Sequence, residues 1–333
     1  MQKFFAPERT GIEAGREREH LAVSPETLFS GSAQNFAVFI ERDGRMILFL
    51  NENERFTEGH AAALRRSGVR RILIPAGQAG AYNSYLEKRL PFILSDAAVP
   101  LASRAQILYD ASVSIVRELF EQKLPEGLGG REYARMERLV RKSAAFLSNE
   151  NSLMRLAALM NHDYGVYSHS VQVFVYAATL MQSLKLGEEI IVQAGIGALL
   201  HDAGKEGIDQ SLLQKPGPLT AEERRIVNTH PAKGAAFCGG MGLSRTALSC
   251  ILLHHERMDA SGYPGRLPGE LIPMHVRAVT LADVYDALTS NRPYADAATP
   301  FEALRIMRDE MRGAFDLDLY KRLVAILSGA EIV

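Results

Sequence analysis

His201 and Asp202, followed by Ala203-Gly204-Lys205, stand at the end of an apolar run from Ile190 to Leu200. An imidazole beside a carboxylate offers two kinds of ligand to one metal centre. The apolar run reads as a buried helix that would hold the pair rigidly. A His-Asp pair alone occurs by chance, but here His169 lies upstream, and His230, the pair His254-His255 and Asp283 lie downstream. The chain has nine histidines, and seven of them fall between residues 162 and 275. Mixed imidazole and carboxylate ligands suit iron, manganese or zinc. A hydrolytic site with two metals needs about this many ligands, with one carboxylate shared between the ions. For any single residue the competing reading is a hydrogen-bonded structural side chain; the sequence around the set weighs against that reading for the whole.

Three blocks carry that context: His201-Asp-Ala-Gly-Lys205, then His254-His-Glu-Arg-Met-Asp-Ala-Ser-Gly-Tyr-Pro264, then Ala282-Asp-Val-Tyr-Asp-Ala-Leu-Thr-Ser-Asn-Arg-Pro-Tyr294. In this order they resemble the HD superfamily of metal-dependent phosphohydrolases and, within it, the HD-GYP branch. The resemblance covers residues 150 to 328. It implies an all-helical domain that holds two divalent metal ions, iron or manganese, and hydrolyses cyclic dinucleotides. The typical substrate is cyclic di-GMP, with pGpG or GMP as product. His169, His201, Asp202, His230, His254, His255 and Asp283 match the family's metal ligands, with Asp202 bridging the ions. Lys205, three residues after Asp202, can reach a metal-bound phosphate and stabilise its developing charge. Arg292 matches a family arginine that grips a substrate phosphate, as a guanidinium fork can. Tyr263 could stack on a base or pack its own loop.

The chain departs from the family at several positions. Gly165 stands where some members carry a glutamate for a third metal, so two metals are expected, although His162 and Asp163 lie nearby. Val166 replaces a common threonine. Ala260 follows Asp259 where glycine is usual, which matters only if the backbone there needs positive φ. Ala295 and Asp296 follow the Arg-Pro-Tyr block where a basic residue is common, which bears on substrate affinity and not on metal binding. Two rival readings stay open. One is an HD-type phosphohydrolase for another nucleotide. The other is a catalytically weak receptor or interaction module that binds a dinucleotide or a diguanylate cyclase domain.

The elements that must position these residues read as an α+β, two-domain chain. Residues 1–21 are polar and expected to be poorly ordered. Residues 22–98 read as a small α/β module for regulation or partner binding. Strands are expected at Phe36–Glu41, Met46–Leu50 and Val69–Pro75, with Asp43-Gly44 as a hairpin turn. Thr57 can cap a helix ending before Gly68, and Tyr82–Leu94 forms another. Residues 99–149 read as connecting helices. In the first, Leu101, Leu108 and Ile115 recur every seven residues, which suits a dimer-forming or interdomain helix as well as an ordinary packing helix. From residue 150 onward, helices with short Gly/Pro breaks fit a bundle.

At 333 residues the chain is comfortable for two domains. A net charge of −1 advertises no basic face for DNA. Cys238 and Cys250 lack a metal-type spacing and read as structural thiols. The N-terminus lacks a signal-peptide core, and no apolar run reaches membrane-spanning length, so a cytoplasmic protein without membrane insertion is expected.

Overall fold

The computed structural model describes residues 20–42, 44–97, 99–120, 129–148, 166–290 and 297–328. The chain divides into two compact units, Met1–Ala111 and Ser112–Val333.

In the first unit, strands β1 (His20–Val23), β2 (Val38–Arg42), β3 (Arg45–Leu50) and β4 (Ile72–Pro75) form one sheet in the order β1-β4-β2-β3. Every pairing in it is antiparallel. Arg42 pairs with Arg45, which is the tight hairpin that Asp43-Gly44 predicts. Helix α1 (Glu58–Arg66) starts at Thr57, whose hydroxyl accepts the His60 N–H while His60 Nδ1 accepts the Thr57 N–H. That reciprocal cap satisfies two otherwise orphaned donors. Helix α2 (Ala79–Ser95) buries Tyr82, Tyr85, Leu86 and Leu90, and Phe36 meets both tyrosines edge to face.

One expectation fails here. His20 and Leu21 do not belong to a poorly ordered tail; they open β1, paired with Pro75 and Ile74. A four-residue strand leaves too little alternation to read, and its stability comes from the β4 edge it completes. Helix α3 (Leu101–Glu118) carries the seven-residue stripe. Ala105, Leu108, Ser112 and Ile115, with Leu119 just beyond its end, are buried within the chain, while Leu101 is half-buried.

Among its described residues the second unit is built of helices: α4 (Gly130–Leu147), α5 (Val166–Ser183), α6 (Glu188–Leu200), α7 (Gln210–Leu213), α8 (Ala221–Val227), α9 (His230–Cys238), α10 (Arg245–Leu253), α11 (Met274–Thr289), α12 (Pro300–Asp309) and α13 (Leu317–Ser328). Helix α6 is its axis. Every residue from Ile191 to Leu200 is buried, and the helix packs against α4, α5 and α10. A helix apolar all round is stable only when surrounded in this way. Helix α11 packs along α5, and Tyr176 meets Tyr285 edge to face between them. Among the described residues no helix is long and apolar enough to cross a membrane.

Candidate metal centre

Five short segments deliver the candidate ligands. His169 projects from the first turns of α5, and His201 and Asp202 follow the last residue of α6. His230 opens α9, His254 and His255 follow the end of α10, and Asp283 lies in the middle of α11. Gly204 lets two of these segments meet. A Cβ there would stand 2.0 Å from the His230 carbonyl oxygen and 2.4 Å from the Gly234 nitrogen, so only glycine allows α9 to lie this close. On the far side, the Thr280 hydroxyl donates to the His254 carbonyl at 2.8 Å and ties α11 to the histidine pair.

The backbone fixes how the imidazoles face. His201 Nδ1 lies 2.7 Å from the Ala198 carbonyl, His230 Nδ1 2.8 Å from that of Val227, and His254 Nδ1 2.9 Å from that of Ile251. A carbonyl only accepts, so each Nδ1 carries the proton and each Nε2 is left as a bare lone pair. Those Nε2 atoms converge. His230 Nε2 and His254 Nε2 are 3.2 Å apart, and the His201 Nε2 is buried with no hydrogen-bond partner. Two lone pairs facing each other repel unless a cation stands between them. Ligands about 2.1 Å from one ion, in adjacent positions at a right angle, lie about 3 Å apart.

Two carboxylates thread the ring of imidazoles. Asp202 Oδ2 lies 3.7 Å from His169 Nε2 and 3.5 Å from His201 Nε2, while its Oδ1 lies 3.3 Å from His230 Nε2. Asp202 therefore spans two sides of the cluster. Asp283 does the same, with Oδ1 at 3.4 Å from His169 Nε2 and 3.8 Å from His201 Nε2, and Oδ2 at 3.6 Å from His255 Nδ1. The ligand atoms fall into three groups able to hold an ion: His230, His254 and His255; His169, His201 and Asp283; and His201, Asp202 and His254. The adjacent histidines thus stand together with His230, and His254 also reaches the Asp202 side. With Asp202 Oδ1 likewise buried and unpartnered, this donor set fits divalent cations.

The electrostatics agree. Burial works to raise the Asp202 carboxyl, but Lys205, His201, His169 and His230 hold it well below the usual carboxylate range. Asp283 is likewise held far down against burial, by His169, His255 and His201. Burial pushes His254 well below the usual histidine value, lowers His230, and takes His255 to about 3. These three are neutral and ready to ligate at pH 7. His169 goes the other way. Burial would lower it, but hydrogen bonds to Asp283 and Asp286 carry it to about 9.

Asp286 was not among the residues expected at the site. Its Oδ2 lies 2.6 Å from His169 Nδ1, and it is almost fully buried. A carboxylate behind a ligating histidine fixes ring orientation and raises basicity. The spacing offered a signal: Asp283 and Asp286 are three apart on α11 and share a face. Glu256 was missed as well, and nothing in its spacing marks it. Buried after the histidine pair, it accepts the N–H groups of Gly265 at 2.5 Å and Leu267 at 2.9 Å, and so anchors the Gly-Tyr-Pro loop. Gly262 completes the fit, because a Cβ there would stand 2.4 Å from the His255 carbonyl oxygen. Ala260 adopts φ +60°, so the position does need the left-handed backbone that glycine favours.

Tyr263 lays its ring 4.7 Å from that of His255 at a 34° tilt, so it packs on a ligating residue. Lys205 sits at the mouth of the site, with Nζ 2.5 Å from Asp202 Oδ2. Arg292, Pro293, Tyr294, Ala295 and Asp296, like His162, Asp163 and Gly165, lie outside the described residues. Cys238 and Cys250 are buried free thiols.

The chain is 38% identical over 183 residues to the cyclic di-GMP phosphodiesterase PA4108 of Pseudomonas aeruginosa, covering 55% of this chain and 44% of that protein. It is 38% identical over 168 residues to the cyclic di-GMP phosphodiesterase response regulator RpfG of Xanthomonas campestris pv. campestris, covering 50% of this chain and 44% of that one. A 3'3'-cGAMP-specific phosphodiesterase 3 of Vibrio cholerae is 33% identical over 160 residues, 48% of this chain and 35% of its own length. Each match thus takes in less than half of the relative's length. The fold is similar to that of Bd1817, an HDG"Y"P protein from Bdellovibrio bacteriovorus, with a TM-score of 0.67 at 22% identity over 93% of this chain and 100% of that one. A model of the HD domain matches residues 128–319, from just before α4 into α13, and with the histidine–aspartate cluster inside that span the chain belongs to the HD domain family.

Proposed function

We propose that this chain is a cytoplasmic, metal-dependent phosphodiesterase that opens a cyclic dinucleotide, cyclic di-GMP first, to the linear pGpG or on to GMP. The observation that carries the reading is the set of bare, buried ligand atoms, above all the facing Nε2 lone pairs of His230 and His254 at 3.2 Å. Two divalent ions bound there, iron or manganese, would supply an activated water and neutralise charge on the phosphate. The chain's own residues do the rest. His169, His201, Asp202, His230, His254, His255 and Asp283 would hold the ions, with Asp202 as the shared carboxylate. The Lys205 ammonium can follow a phosphate oxygen as charge develops on it and protonate the leaving oxygen. Tyr263 borders the site beside His255, where a base could stack. Arg292 would grip a substrate phosphate, a role that rests on its place in the Arg-Pro-Tyr block.

A second reading, another cyclic dinucleotide as substrate, is favoured by the relatives from Vibrio cholerae named for 3'3'-cGAMP. One experiment tests both. The protein is purified without oxygen, its metal is quantified, and turnover of cyclic di-GMP, 3'3'-cGAMP and linear pGpG is followed on the same sample. Two metals per chain with turnover of cyclic di-GMP support the proposal. Turnover of 3'3'-cGAMP alone favours the second reading. Full metal with binding but no turnover of any of them would leave a receptor, with diguanylate cyclase domains as the partners to examine. In Asp202→Ala, metal content should drop sharply and hydrolysis should be lost; normal metal and turnover would remove the bridging role.

A further inference from the structure

Two arginines meet the turn between α12 and α13, and they are used differently. Arg277, on α11, spends its whole fork. Its Nε donates to the Ile272 carbonyl at 2.7 Å, one terminal nitrogen to the Gly269 carbonyl at 2.8 Å, and the other to Asp316 at 2.9 Å. Arg257 stands two residues after His255, with its guanidinium 5.4 Å from the centre of the Phe315 ring. Its Nη1 is buried without a hydrogen-bond partner, and among the described residues its side chain forms no ion pair. A charged donor buried and unpaired costs free energy, which an apolar side chain packed on Phe315 would avoid. Arg277 thus holds the fold together, whereas the charge of Arg257 is left unspent by it.

The loop keeps that charge beside the metal centre. The Met258 N–H donates to the Ala314 carbonyl at 3.0 Å, and the Tyr263 N–H to the His255 carbonyl at 3.2 Å. The chain doubles back so tightly that a Cβ on Gly262 would stand 2.6 Å from the Arg257 nitrogen. Burial lowers the guanidinium below the ordinary arginine range, against the pull of Asp283 first and of Tyr263 and Asp259 after it. Asp283 is a candidate ligand, and it acts on Arg257 without pairing with it. Lys205 is the opposite case, since its ammonium rests on Asp202 at 2.5 Å.

We propose that Arg257 is a positioning residue for phosphate: its unpaired charge, fixed beside His255 by Phe315 and the doubled-back loop, draws an anionic phosphate onto the metal centre without touching it. The inference rests on the reading of the helical unit as a metal-dependent phosphodiesterase. It carries a signature that a structural arginine would not show. The charge repels bound cations and attracts a bound anion, so its removal should move the two affinities in opposite directions.

The test is calorimetry on the full chain in two steps: manganese into metal-free protein, then inorganic phosphate into the manganese-loaded protein. Far-UV circular dichroism checks folding. Arg257→Met should bind manganese more tightly than the wild type and phosphate about tenfold more weakly, the order expected of one charge a few ångströms away in a partly buried site. Arg257→Gln should behave as Arg257→Met, and Arg257→Lys, which keeps the charge and loses the fork, should stay near the wild type in both steps. Weaker binding of both ions in Arg257→Met and Arg257→Gln, or loss of the fold in both, would make the residue structural and overturn the proposal. So would unchanged phosphate affinity, an Arg257→Lys that behaves as Arg257→Met, or a manganese-loaded wild type that takes no phosphate. Neither step needs turnover. A chain that shows this pattern and hydrolyses no cyclic dinucleotide would refute the proposed substrate and leave the role of Arg257 standing.

Discussion

At the scale of residues, His169 differs from its neighbours. His230, His254 and His255 are held neutral by burial, whereas Asp283 and Asp286 keep His169 protonated up to about pH 9. A divalent cation taking His169 Nε2 must expel that proton, so apparent metal affinity should climb as pH rises toward about 9 and level off above it. Calorimetric titration of manganese into metal-free protein at pH 7.5, in buffers of different ionisation enthalpy, should report about one proton released. Asp286→Asn removes the charge behind His169. Its proton release should fall, and its metal affinity should drop roughly 10- to 100-fold, as for other carboxylates behind ligating histidines. Unchanged proton release would mean that Asp286 does not set the state of His169.

At the scale of elements, two small residues make opposite predictions. Gly204 is where the turn after α6 touches the start of α9. Gly204→Ala forces a Cβ against the His230 carbonyl, so α9 must shift, at a cost of about 1–3 kcal/mol. His230 moves with it. The variant should keep its helical circular dichroism while losing metal content and melting lower; undiminished metal would show that α9 accommodates the methyl. Ala260 is the reverse case, an alanine at φ +60° in the loop that Glu256 anchors. Left-handed backbone costs an L-residue roughly 1–2 kcal/mol, and the extra freedom of unfolded glycine offsets part of the relief. Ala260→Gly should therefore stabilise by up to about 1 kcal/mol. Thermal or urea unfolding would detect this, and a lower midpoint would refute it.

At the scale of the whole molecule, the two units have different claims on a metal. Every donor group found among the described residues lies between His169 and Asp283, within the second unit. Cations bound only by the folded state stabilise what they bind. Hydrogen exchange followed with and without manganese should show added protection in α5, α6, α9, α10 and α11. The strands β1 to β4 should exchange unchanged. Equal gains in the sheet would indicate a metal effect that extends to the first unit.

The sequence by itself determined the chemistry of the ligands and the type of most elements. His201-Asp202 at the end of an apolar run, the histidine pair before a Gly-Tyr-Pro turn and the Thr57 cap are local signals, each set by residue type and spacing within a few positions. Strand β1 was not legible, because four residues carry too little alternation and take their stability from β4. The fate of the α3 stripe was not legible either, since a heptad pattern says that a face is covered and not what covers it. Only the tertiary structure decided that Asp202 and Asp283 each span the imidazole ring, that Asp286 stands behind His169, and that Glu256 holds a loop nine residues away. Those are contacts between segments up to 117 residues apart, and their physics, burial of charge and the direction of a lone pair, exists only once the helices have packed.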